Sequence, residues 1–411
     1  MNARASGTLS GVGAVLHVAA MPFPTVQGTQ AAVHRMAEAC ANAGHDAHLL
    51  TYGRGAFERG VNYTLHRLPD LPGRDAFRSG PSLRKVALDA ALPFAIRRLQ
   101  ARLKPRAVVA HHVEAALGCI AAGVPFVFIA HTSLSAELPM YFPSALAKAV
   151  ARAGRALDGF IHRHAARTLA VSPSLASRLG MESAHAVGHA PIPWRVHTPF
   201  APGERAAARA QLHIDAGARV ALYAGNLDAY QGWETALEAV TFARRSQPTL
   251  RALFLTNSDT APLTRLARQL GVAGALIIAP NTGDAARRSA HAASDLALIP
   301  RRAEGGFPVK MLEAFAHGVP AVVEHRAQAG LDLSRVAMVV PNEHPAAFAV
   351  GITRVLQGAG LSANLATANL AAAGPAYVGA HHSDERFLEA LLPTSVSPSH
   401  ERRPRRDAET R

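Results

Sequence analysis

Cysteine is nearly absent from this chain of 411 residues: Cys40 and Cys119 are too few for a disulfide framework or a zinc site. Both sit in Ala-rich apolar stretches and read as buried thiols, as a reducing cytoplasm allows. Aromatic residues make up only 6%, and too few stand among the cations to stack the bases of a nucleic acid. No apolar run reaches the roughly 18 residues that a membrane span needs. The segment 1–13 carries Arg4 but no apolar core of signal-peptide length. These absences lead to the expectation of a cytoplasmic protein that meets a membrane only peripherally, on its inner face. Negative charge is scarce too. With 29 acidic against 43 basic residues the formal charge is +14, which favours anionic partners such as phosphorylated substrates or acidic lipid.

What is present is apolar, at 49%, and long enough for more than one hydrophobic core. Short apolar runs at 15–20, 46–51, 107–110, 124–130 and 168–171 alternate with helical stretches such as 29–42, where Thr29 is a plausible cap. That alternation predicts a parallel sheet covered on both faces, an α/β fold. Pro191, Pro193, Pro199 and Pro202 then break every period and mark a linker at 191–204. The same theme restarts at 219–224, 251–256, 275–279, 295–300 and 321–324. The expected organisation is a flexible 1–13, a Rossmann-like domain at 14–190, the linker, and a second Rossmann-like domain at 205–375. A helix at 376–392 crosses back to domain one, and 393–411 is a disordered basic tail. Two doubly wound domains face each other across a cleft at the carboxyl ends of their strands. A dinucleotide oxidoreductase is excluded by order, because Gly11 and Gly13 precede the first strand instead of following it.

The most specific stretch runs from Pro300 to Pro320, PRRAEGGFPVKMLEAFAHGVP. A strand ends at Pro300, a loop with Gly305 and Gly306 follows, and a helix starts at Pro308 and stops at Gly318. Glycines let backbone approach a ligand, and the free N–H groups and dipole of the helix start favour a phosphate. Glu313 is placed to reach a ribose diol beside that phosphate.

This stretch resembles the nucleotide-sugar loop of glycosyltransferase family 4, a retaining family with the two-domain GT-B fold. The likeness extends to the loop at Gly28, the Ala-His pair at 130–131 and the AGNL opening of the second domain. It implies that Glu313 binds the nucleotide ribose and that Phe307 and Pro308 hold the donor diphosphate through backbone amides. It makes Glu304 the acidic residue on the donor sugar. The family has seven residues between its two glutamates and this chain has eight, so either Glu304 or Gly305 fills that position. A second departure concerns the family's Arg and Lys on the leaving diphosphate: the corresponding positions are Asn226 and Gln231. Two cations facing a diphosphate contribute several kcal/mol to the transition state, so Lys310, Arg301 and Arg302 become candidate substitutes.

On the acceptor side, the loop at Gln27 and Gly28 enters a helix, and His131 follows a strand at the cleft. The resemblance implies a catalytic-site role for His131 beside the donor sugar. His111 and His112 end another strand and Glu137 follows closely after His131; all three are acceptor-side candidates. No third ligand recurs at zinc spacing and no D-x-D is present, so neither a metal nor another cofactor is expected. The implied partners are a nucleotide-sugar donor and a hydroxyl acceptor, lipid-linked or a cell-envelope precursor, with no nucleic acid. Basic and apolar residues interleaved over 82–106 suggest a helix lying on an anionic membrane, unless that stripe packs on the domain. Two other functions stay open. One is a nucleotide-sugar epimerase of the same fold; the other is a degenerate binding or scaffold protein, suggested by the missing Arg/Lys pair.

Overall fold

The computed structural model describes residues 13–25, 27–53, 55, 60–69, 83–302, 306–341, 344–358 and 367–393. The terminal segments expected at 1–13 and 393–411 lie outside these apart from Gly13 and Pro393. The first sheet is parallel, in the order β3-β2-β1-β4-β5-β6-β7. Its strands are β1 (Ala14–Ala19), β2 (Asp46–Thr51), β3 (Thr64–Arg67), β4 (Ala107–His111), β5 (Val127–Ala130), β6 (Arg167–Ala170) and β7 (Val187–His189). The helices between them are α1 (Gly28–Asn42), α2 (Leu83–Leu103), α3 (His112–Ala122), α4 (Leu134–Glu137), α5 (Ala147–His164) and α6 (Pro173–Ser183).

A second parallel sheet runs β10-β9-β8-β11-β12-β13. It comprises β8 (Arg219–Ala224), β9 (Leu250–Leu255), β10 (Leu276–Ala279), β11 (Leu296–Ile299), β12 (Ala321–Glu324) and β13 (Met338–Val340). Around it lie α7 (Glu204–Gln211), α8 (Trp233–Ala243), α9 (Ala261–Gln269), α10 (Asp284–Ala293), α11 (Val309–Ala316), α12 (Pro345–Gln357), α13 (Thr367–His381) and α14 (Asp384–Leu391). The inner strands are apolar because helices cover both faces: β8 and β9 are buried at nearly every position. Strand order reverses between β1 and β4 and again between β8 and β11. Each sheet therefore opens a crevice at its carboxyl edge. One continuous apolar cluster joins the first core to Val309, Leu312 and Phe315 of α11, so the lobes are in contact.

Several expectations change in detail. The helix expected over 376–392 is the end of α13 plus α14, broken at His382 and Ser383, where the Ser383 hydroxyl accepts the Arg386 N–H and starts a new helix. α14 lies against α1: Asn42 donates to Asp384 at 2.8 Å, and Arg167 donates to the Ala390 carbonyl at 2.8 Å. Thr29 does not cap α1; Gln27 occupies the cap position and Thr29 lies inside the first turn.

The helix at 82–106 is α2, and most of its apolar stripe does not face a membrane. Leu88, Leu92, Ile96 and Leu99 are buried, and a β-carbon on Gly118 of α3 would lie 3.2 Å from both Leu92 and Ile96. A helical period of apolar residues needs a partner, and here α3 is that partner. Only Val86 and Phe94 of the stripe remain largely exposed among the described side chains. No described helix is long and apolar enough to cross a membrane.

Candidate functional site

The carboxyl edges of the two sheets meet around the start of α11. Pro308 is its cap residue, Val309 its first helical residue, and Gly306 before it takes a left-handed φ of +65°. The first lobe presses close. A β-carbon on Gly28 would lie 3.5 Å from Val309 Cβ, and one on Gly306 would lie 3.1 Å from the His131 carbonyl. The two glycines thus allow the α1 start, the β5 end and the α11 start to converge. Phe307 is half-buried, with its ring 5.8 Å from that of His382. Glu304 and Gly305 lie outside the described residues.

Lys310 points inward from the first turn of α11. Its ammonium nitrogen is buried without a hydrogen-bond partner and stands 4.2 Å from the centre of the Tyr223 ring, a cation–π contact. Burial, with the Arg301 charge adding to it, pushes the Lys310 ammonium down to about 7. Arg301 itself is only 7% exposed. Asn226 gives its amide N–H to Asp228 at 2.6 Å while its Oδ1 is buried without a hydrogen-bond partner, and neither Asn226 nor Gln231 carries a charge to set against a diphosphate. Arg302 pairs with Glu234 at 3.4 Å. Of the three candidate cations, Lys310 and Arg301 are therefore the two brought together in a buried position.

Glu313 projects from α11 toward α10, where Arg287 Nε meets its carboxylate at 2.8 Å. Sequence reasoning missed this partner, which lies on a different helix. It also missed a cluster: His291, Glu313 and His317 bring one ligand atom each within 4.8 Å of one another. The Arg287 guanidinium already neutralises Glu313, and the His291 and His317 rings lie stacked at 4.7 Å. A cation would enter against that charge. Burial, His291, His197 and the guanidinium groups of Arg288 and Arg287 hold His317 down at about 2.

His131 is 7% exposed at the end of β5, with the His112 ring stacked on it at 5.0 Å. His112 begins α3 with φ at +68°, a conformation that strains a side chain with a β-carbon. Glu137 accepts the Tyr141 hydroxyl at 3.2 Å. Gln27 accepts from Gln30 at 2.9 Å and stands at the α1 start beside Gly28. His111 departs from expectation. It is 0% exposed, and both its ring nitrogens are taken by His17 and His131, so no polar ring atom is left for an acceptor.

Residues 26–181 match the model of Glycosyltransferase Family 4, and residues 218–358 match that of Glycosyl transferases group 1. The chain is similar to the D-inositol 3-phosphate glycosyltransferase of Segniliparus rotundus, 30% identical over 128 residues, which are 30% of this chain and 28% of that protein. The chain thus matches less than a third of that relative's length. Sucrose-phosphate synthase from Thermosynechococcus elongatus has a similar structure, with a TM-score of 0.74 at 17% identity over 91% of this chain and 96% of that one. HepE of Anabaena in complex with UDP and glucose gives a TM-score of 0.71 at 15% identity over 93% and 99%. Identities this low establish the fold alone, and the fold is the two-domain GT-B arrangement expected from the sequence.

Proposed function

Since the chain belongs to the two-domain glycosyltransferases that join a family 4 N-terminal half to a group 1 C-terminal half, we propose that it is a retaining enzyme moving a sugar from a nucleoside diphosphate to a hydroxyl acceptor. The observation that carries this proposal is the buried ammonium of Lys310, without a hydrogen-bond partner and beside Arg301, at a helix start where the two lobes meet. A buried cation without a counter-ion costs folding free energy, and a bound diphosphate would supply the missing charge. Lys310 and Arg301 then do the work that the uncharged Asn226 and Gln231 cannot, neutralising the leaving diphosphate together with the Phe307 N–H; Pro308 has no N–H to give, and that of Val309 is held by the Phe307 carbonyl at 3.0 Å. Glu313 takes the ribose, and Arg287 holds its carboxylate in place. His131 lies beside the donor sugar, and the acceptor oxygen attacks from the face that the diphosphate leaves. In that chemistry a leaving-group oxygen can take the acceptor's proton.

The HepE complexes contain UDP and glucose, so UDP-sugars are the first donors to test. Calorimetry with UDP-, GDP- and ADP-sugars is expected to show binding of one class, and Glu313→Ala to weaken that binding about 10- to 100-fold without unfolding the protein. Binding of none would favour the degenerate scaffold. Consumption of donor without an acceptor, giving an isomeric sugar nucleotide, would favour the epimerase.

A membrane-presented acceptor is favoured by a face other than α2. Met140, Tyr141, Phe142 and Leu146 are exposed beside Lys148, Arg152 and Arg155 of α5, which joins apolar anchors to positive charge. The protein is expected to sediment with vesicles containing anionic lipid, and Tyr141→Ser with Phe142→Ser to abolish this. Equal sedimentation with neutral vesicles would sink the idea.

A further inference from the structure

Three imidazoles stand in file across neighbouring strands of the first sheet. His17 lies within β1, His111 ends β4 and His131 follows β5. Their rings meet nitrogen to nitrogen: His17 Nδ1 to His111 Nε2 at 3.0 Å, and His111 Nδ1 to His131 Nε2 at 3.1 Å. The far end closes on Cys40 Sγ of α1, 3.4 Å from His17 Nε2. His17 and His111 are 0% exposed, so no solvent reaches the file until His131.

Burial keeps every member neutral. It pushes His17 down to about 3, holds His111 and His131 well below the ordinary imidazole range, and pushes the Cys40 thiol up to about 12. A neutral imidazole carries one N–H, so each nitrogen pair shares one proton and the donors must all run the same way. With Cys40 donating its S–H, His17 and His111 each donate from Nδ1, and the last N–H, on Nδ1 of His131, is left over. Run the other way, the file would spend an N–H on sulfur, a weak acceptor. Among the described residues Nδ1 of His131 makes no hydrogen bond.

We propose that His17 and His111 are positioning residues which, with Cys40 as terminal donor, fix His131 in its Nδ1–H tautomer and so present a hydrogen-bond donor to an oxygen of the transferred sugar. The sugar contact rests on the donor site proposed above; the tautomer does not. Long-range proton–nitrogen NMR on histidine-labelled wild-type protein is expected to show His131 protonated at Nδ1 and bare at Nε2. The opposite assignment overturns the proposal. His17→Phe removes the donor to His111, and is expected to mix the His131 tautomers and to lower kcat about tenfold with donor KM held within about twofold. His17→Asn, whose amide N–H replaces Nδ1–H, is expected to restore both. Unchanged tautomer and kcat in His17→Phe overturn the proposal, and if that variant does not fold the wild-type spectrum decides. A donor sugar that binds without shifting the His131 resonances removes the sugar contact while the fixed tautomer stands.

Discussion

Lys310→Met is expected to weaken binding of the sugar nucleotide by about 30- to 1,000-fold, because it removes one buried partner of a charge pair worth about 2–4 kcal/mol. The same change is expected to raise the stability of the unliganded protein. A buried ammonium without a hydrogen bond opposes folding, and methionine fills similar space without charge. The pH dependence has two opposite signs. Lys310 titrates at about 7 in the folded protein but at about 10 when unfolded. Over that window the unfolded chain binds more protons, so wild-type stability gains a contribution as pH rises from about 7 to about 10. Donor affinity moves the other way. A bound diphosphate raises the lysine's pKa, so binding takes up a proton above about pH 7 and affinity falls about tenfold per pH unit. Calorimetry at pH 6 and 8.5, in buffers of different ionisation enthalpy, reads both the slope and the proton. Lys310→Met should show neither; a slope that survives in this variant would place the diphosphate elsewhere.

Much of this arrangement was legible in the chain because it depends on local rules. Continuous apolar runs between Ala-rich helices suit buried parallel strands, and the bounds of the expected strands differ by a few residues, whereas the short edge strands β3, β7 and β13 were not expected. The Pro-broken stretch after Gly188 contains no helix or strand from 190 to 203. The two ends of α11 were readable from Gly306 and Pro308 before it and Gly318 after it, since a left-handed glycine and a proline mark helix ends. What stayed hidden depends on distance in sequence. The Arg287 partner of Glu313 comes from another helix, and the burial of Lys310 against Tyr223 follows from two segments folding together. The stripe of α2 was ambiguous for a physical reason: lipid and a neighbouring helix ask for the same apolar period. His17 left one faint signal, a histidine in the middle of the otherwise apolar AVLHVA. Its partners were beyond reach, because sheet order sets β1 beside β4 although 87 residues separate Ala19 from Ala107.

Asp295→Ala is expected to destabilise the second domain by about 3–5 kcal/mol, since removing one member of a buried ion pair leaves the other uncompensated. Asp295 stands just before β11, 11% exposed, and accepts from Arg205 at 2.7 Å, from Arg209 at 3.0 Å and from the Val220 N–H at 2.7 Å. Arg209 is the costly partner. It is 6% exposed, and its other N–H groups are held by the Ala293 and Ala216 carbonyls, so it cannot turn to water when the carboxylate goes. Arg219 also reaches Asp295, at 3.4 Å, but is 53% exposed, so Arg219→Ala should cost no more than about 1 kcal/mol. Through this carboxylate α7 is fastened to β8 and β11, which anchors the first helix after the linker. In a parallel sheet the amino edge, where Asp295 sits, is remote from the carboxyl edge that carries Arg301 and Lys310. The fraction of Asp295→Ala that remains folded is therefore expected to bind donor with wild-type affinity, whereas Lys310→Met folds well and binds poorly. Thermal unfolding and calorimetry on the two variants separate the roles. A loss of donor affinity in folded Asp295→Ala equal to that of Lys310→Met would mean that the two edges of this sheet do not act independently.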